Sequence, residues 1–155
     1  MNPPNDLFFC YVRAVRAVRG EPMPARLQGL ASVVERIDVT RVDDRTIRLR
    51  PREGFLAHEP ERMLRSAVRA LPVGSVVEMD GMKVTVSALT PDGRPAEALF
   101  QFDTPLDDPS MVWLVWTRDG YARWAAPPFG ETAHLPAHDV RRAVLDIEDR
   151  LLERR

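Results

Sequence analysis

Between Met82 and Ala88, and again between Ala96 and Phe102, apolar and polar residues alternate along the chain, and this constrains the fold more than any other feature. Met82, Val84, Val86 and Ala88 interleave with Lys83, Thr85 and Ser87; Ala96, Ala98, Phe100 and Phe102 interleave with Glu97 and Gln101. A period of two sends successive side chains to opposite faces of an extended strand, so the pattern predicts an antiparallel sheet with one face packed and one wet. A tight turn at Asp80-Gly81 and the turn residues Pro91-Asp92-Gly93-Arg94 divide the stretch into three strands, 76–79, 82–89 and 96–102.

The same period appears upstream. Ile37 to Val42 and Thr46 to Arg50 read as a hairpin closed by Asp43-Asp44-Arg45, with Ile47 and Leu49 facing inward and Arg48 and Arg50 outward. A last hairpin, Met111 to Thr117 and Tyr121 to Ala125, turns at Arg118-Asp119-Gly120. Helical spacing replaces it elsewhere. Asp6 to Gly20 reads as a helix with Asp6 as N-cap and Gly20 as stop, setting Leu7, Phe8, Tyr11, Val15 and Val18 against Arg13, Arg16 and Arg19. Pro60 to Leu71 reads as a short helix, and Val140, Val144, Ile147 and Leu151 form the apolar stripe of another that begins near His138. The expected architecture is α+β: a small antiparallel β-barrel or sandwich of about seven strands with an N-terminal helix, one short central helix and a C-terminal helix. Residues 1–35 supply the first helix and a connector, 36–136 the β-rich core and 137–155 the last helix, all in one compact domain.

Charge and cysteine content narrow the function classes. The net charge is −1 and the basic residues, all arginine except Lys83, are spread along the chain, so no nucleic-acid partner is expected. The single cysteine, Cys10, excludes an intramolecular disulfide and a paired-cysteine zinc site; within Leu7 to Val12 it reads as a buried, inert thiol. No stretch approaches the roughly 18 apolar residues of a spanning helix, and the arginines follow the first apolar run instead of preceding it as a signal peptide requires. A cytoplasmic protein is expected.

No constellation of catalytic residues stands out. Glu131, His134 and His138 come nearest to a metal-ligand cluster, but Pro136 interrupts the continuous helix on which two histidines four apart would share a face. Neither a metal nor a cofactor is expected. His58 stands alone in a loop and reads as exposed. Asp107-Asp108 and Asp43-Asp44 sit where aspartate serves turns by bonding its own backbone. No serine lies in a nucleophile elbow, and both GxGxxG and the P-loop pattern are absent. What remains is aromatic. Trp113, Trp116, Tyr121, Trp124 and Phe129 cluster in sequence, and Trp113 and Trp116, an odd number apart on one expected strand, should point to opposite faces.

The segments Arg41-Val42-Asp43-Asp44-Arg45-Thr46-Ile47, Gly81-Met82-Lys83-Val84-Thr85-Val86, Asp92-Gly93-Arg94-Pro95 with Phe100-Gln101-Phe102, and Pro105-Leu106-Asp107-Asp108 resemble a soluble C-terminal module of uncharacterised bacterial proteins. In those proteins the module often follows a multi-spanning hydrophobic portion. The resemblance covers roughly residues 36 to 135 and implies a β-rich domain with membrane association, without an activity.

The expectation is a non-catalytic interaction or accessory domain that binds a protein or peptide through the aromatic hairpin or the terminal helices. Self-association through Val140, Val144, Ile147 and Leu151 is one form of this. Two other readings stand beside it: a metal-dependent, hydrolase-like enzyme using Glu131, His134, His138 or Asp107, and a membrane-peripheral domain held to an anionic surface by Arg13, Arg16 and Arg19.

Overall fold

The computed structural model describes residues 14–32, 34–58 and 70–139. They contain eight strands, all paired antiparallel: β1 (Ile37–Arg41), β2 (Thr46–Pro51), β3 (Val76–Met79), β4 (Met82–Leu89), β5 (Pro95–Phe102), β6 (Leu114–Thr117), β7 (Gly120–Arg123) and β8 (Thr132–Leu135). Six form one sheet in the order β3-β4-β5-β2-β1-β8, while β6 and β7 form a separate two-stranded ribbon. The expected closed barrel or sandwich of about seven strands is therefore wrong. Closure would require the two edges of the sheet to pair, and among the described residues β3 and β8 instead remain its ends, so the sheet is open. The three expected helices are also corrected: among the described residues the helical segment is a short one, 14–18, and Ala70-Leu71 and His138-Asp139 are not helical. The rest of the central and C-terminal helices falls outside the described residues, as do Cys10 and Arg13.

The chain divides into two compact units. The larger comprises 36–113 and 125–135 and contains the six-stranded sheet. Its register follows the alternation in the sequence: Ile37, Val39, Ile47, Leu49, Ala98, Phe100, Phe102, Met82 and Val86 are all buried on one face. Two loops roof that face. The loop after β2 brings Phe55 to a ring-centroid distance of 6.2 Å from Phe100. The loop after β5 brings Trp113 edge-on to Phe102, centroids 5.3 Å apart. It also buries Leu106 to 2% exposure.

Two of the segments that carried the resemblance, 41–47 and 105–108, meet at the second of these loops. The β1–β2 turn is closed by Val42 N–H donating to Thr46 O and Arg45 N–H to the Asp43 carboxylate. Its Asp44 and Arg45 carbonyls accept from Leu106 N–H at 2.8 Å and Phe102 N–H at 2.9 Å. Arg41, with a side chain 13% exposed, grips Asp107 through both guanidinium nitrogens at 3.1 and 2.6 Å and donates to Asp43 O. These two segments thus form a structural knot joining two loops, bidentate at its outer end.

The smaller unit includes 14–32, 34–35, Leu114–Trp124 and 136–139 of the described residues. Its helical segment ends as expected at Gly20, whose φ of 64° lets Gly20 N–H reach Ala17 O and Glu21 N–H reach Arg16 O. That pair of bonds is a Schellman stop, which glycine makes without steric cost.

Candidate functional site

The most open apolar surface of the larger unit is an edge of its sheet. All four residues of β3 are exposed, Val76 at 52%, Val77 at 42% and Met79 at 46% among them, and Val73 just before the strand is 59% exposed. The hydrogen-bond direction of each residue follows from its neighbours. Val86 N–H donates to Ser75 O, so the even-numbered residues of β4 turn their backbone toward β3, while Gly81 O accepts from Asp103 N–H on the β5 side. In the register Val77↔Val84 and Met79↔Met82, it is then Val77 and Met79 that bond β4. Val76 and Glu78 direct their N–H and C=O groups away from the sheet. Natural edges are blunted by proline, bulges or several charges; β3 has no proline, no register shift and a single charge, Glu78. The other edge differs: β8 is followed directly by Pro136 and carries His134.

A cleft of about 440 Å³ opens beside the β3–β4 turn. Arg45 and Lys83 line it together with Glu78, Asp103 and Gln101, and Arg45 is already committed to the Asp103 carbonyl. Balanced charge of this kind selects no ion of either sign.

The aromatic residues do not form one surface. Trp113 precedes β6 and is not part of it, so the parity argument that opposed it to Trp116 does not apply. Its indole N–H donates to Leu106 O at 2.9 Å and its ring packs on Phe102, which makes it part of the sheet's roof. Trp116 and Tyr121 stand opposite each other across the β6–β7 ribbon as an edge-to-face pair, centroids 5.0 Å apart. Burial pushes the Tyr121 phenol up to about 12, while the residue as a whole keeps 38% exposure. Trp124 is half-buried, and Phe129, after exposed Pro128, is 72% exposed.

Of the metal-ligand candidates, His134 lies on β8 opposite Asp38 of β1, with Nδ1 2.6 Å from the Asp38 carboxylate. That short contact holds the Asp38 carboxyl below the usual range, and Arg36 Nη2 lies 3.1 Å from the same His134 Nδ1. Arg36 also serves Asp38 through Nε at 3.3 Å. Glu131 is tied to Arg41 through its backbone, its carbonyl accepting from Arg41 N–H. His138 lies beyond Pro136 in the smaller unit. Among the described residues no three histidine, cysteine, aspartate or glutamate side chains are grouped to hold a metal ion. Asp107 is the partner of Arg41, and Asp108 accepts from Ser110 N–H at 2.8 Å and Ser110 Oγ at 2.6 Å, a turn-forming role. His58 is half-buried, with Nε2 shielded from solvent, where an exposed side chain was expected. Among the surface arginines, Arg16 donates to Pro22 O and pairs with Glu21, and Arg19 is exposed. Val15 and Val18, expected on the apolar face of the first helix, are 44% and 88% exposed. Val140, Val144, Ile147 and Leu151 lie outside the described residues, and no described helix is long and apolar enough to cross a membrane.

Five carboxylates, exposed or half-buried, share a pH consequence. His134 depresses Asp38, the Arg45 backbone N–H depresses Asp43, Thr90 and then Arg94 bring Asp92 to about 2, Arg41 depresses Asp107 and Ser110 depresses Asp108. A carboxyl whose folded pKa lies below its unfolded value near about 3.9 adds stability above that value and loses it as pH falls through the folded one. Urea midpoints should therefore hold steady near neutrality and fall between about pH 4 and pH 2. Asp38→Asn should flatten part of that fall, and an identical acid profile in this variant would exclude the Asp38–His134 contribution.

The sequence reading placed a strand at 76–79 but did not place it at an edge of the sheet. Comparison with protein-family models, curated proteins and solved structures finds no match to the chain.

Proposed function

We propose that the protein is a non-catalytic accessory domain that binds a protein partner, in extended conformation, along the β3 edge. One observation carries the reading: β3 combines exposed apolar side chains on both faces with outward backbone groups at Val76 and Glu78. Addition of a strand to such an edge uses main-chain hydrogen bonds for affinity and alternate side chains for selectivity. The exposed apolar residues of the larger unit concentrate there, which favours β3 over the aromatic ribbon, whose Trp116 and Tyr121 are spent on each other. A cytoplasmic setting fits the single cysteine, and an accessory role fits the resemblance to a module lacking chemistry of its own.

Glu78→Pro tests this selectively. The Glu78 N–H points away from β4, so proline there removes an outward donor and places a ring in the path of an incoming strand while the β3–β4 ladder persists. Extended peptides selected on the wild-type protein should bind Glu78→Pro at least about tenfold more weakly by fluorescence anisotropy, about 1.4 kcal/mol. Equal affinity for both, with unchanged circular dichroism, would refute binding at this edge.

A further inference from the structure

We infer that the partner on the β3 edge is a second copy of this chain, paired strand to strand about a two-fold axis at Val77; this rests on the preceding reading of the edge. The edge is complementary to itself. Its two outward-directed residues, Val76 and Glu78, flank Val77 symmetrically. An antiparallel two-fold pairing centred on Val77 places Val76 of each copy opposite Glu78 of the other, and each such pair exchanges two backbone hydrogen bonds. All four outward groups on each copy are then satisfied, and no other register does this with a symmetric partner.

Side chains agree with the backbone. The two Val77 residues meet at a non-hydrogen-bonded position, where Cα atoms lie about 4.5 Å apart and β-branched pairs pack well. They share the face of Val84 and Met82, so the packed face of one sheet continues into the other. On the opposite face Glu78, the strand's one charge, lies between Lys83 of its own chain and Val76 of the partner copy, never directly against the other Glu78. A shift by two residues would set the glutamates opposite each other. The charge that fails to blunt the edge thus selects its register. The pair would join two six-stranded sheets into one continuous sheet of twelve. A four-residue contact is small, so the dimer belongs to the weak, concentration-dependent class.

Sedimentation equilibrium on the full chain, from micromolar to millimolar, should show a reversible monomer–dimer transition that Glu78→Pro moves at least about tenfold higher in concentration. Geometry is read separately by cross-linking in a Cys10→Ser background. Val77→Cys should oxidise readily to a covalent dimer, since a separation of about 4.5 Å suits a disulfide. Glu78→Cys, offset from its own symmetry mate, should cross-link much more slowly. A strict monomer throughout, a dimer indifferent to Glu78→Pro, or equal cross-linking at 77 and 78 would each overturn the inference. A strict monomer that still binds extended peptides at wild-type β3 would overturn self-pairing alone and leave the edge as a site for another chain.

Discussion

Leu106→Ala is expected to cost about 2–5 kcal/mol of unfolding free energy, as large a loss as any single apolar truncation in the sheet's core. Leu106 belongs to a loop, yet it is 2% exposed. Its backbone is held at both ends of the peptide: its N–H donates to Asp44 O and its carbonyl accepts the Trp113 indole. Those bonds fix the loop over the cavity that truncation would leave, so the site cannot collapse to fill it, and the larger part of the range applies. Because Trp113 packs edge-on against Phe102, the near-ultraviolet circular dichroism should weaken with the urea midpoint. Val112→Ala, at a residue 47% exposed in the same loop, should change the midpoint little. A cost of Leu106→Ala no larger than that of Val112→Ala would contradict this account of the roof.

Gly54→Ala should cost roughly 2–4 kcal/mol, from two independent causes. Gly54 adopts φ +78°, where a side chain is strained whatever the space around it, and a Cβ there would stand 2.7 Å from Thr90 Cγ2 and 2.9 Å from Pro95 O. The neighbours cannot retreat cheaply. Phe55 N–H bonds Pro95 O at 2.7 Å, and Arg94 Nη1 reaches Phe55 O at 3.1 Å, so loop and strand are stitched together at the point of closest approach. Gly93 separates the two causes: its φ is +82° but an added Cβ meets nothing within 4 Å. Gly93→Ala should pay the backbone strain alone, roughly 1–2 kcal/mol. Equal urea midpoints for the two alanine variants would exclude the steric contribution at Gly54.

Local physics made most of the strands legible and little of their arrangement. The alternation of Met82 to Ala88 and Ala96 to Phe102 located β4 and β5 to within a residue, because period and turn chemistry act over a few positions. β8 was missed because Thr132-Ala133-His134-Leu135 is short and gains its strand character only by pairing with Ile37 to Thr40, far away in sequence. Trp113 was misplaced for a related reason: the pattern runs on through Met111 to Thr117, but the indole's bond to Leu106 O takes Trp113 out of the strand. Asp108 was readable as a turn residue because its partner is Ser110; Asp107 was not readable as the partner of Arg41. The candidate site was least legible, since nothing within Val76-Val77-Glu78-Met79 says whether it ends a sheet or lies inside one. That is decided by which strands pair elsewhere.

The strand order has a consequence for how the sheet assembles. Hairpins β1–β2 and β3–β4 and the β4–β5 pair close short loops and form early, on the microsecond scale of about 1–10 µs typical of a hairpin. The centre of the sheet, however, is the β2–β5 seam, which joins Leu49 to Ala98 and Ile47 to Phe100. Its loop-closure entropy must be spent before any of the buried aromatic core rewards it. The seam is therefore expected to close later than either hairpin, and until it does the apolar faces of both halves would stand open to other chains.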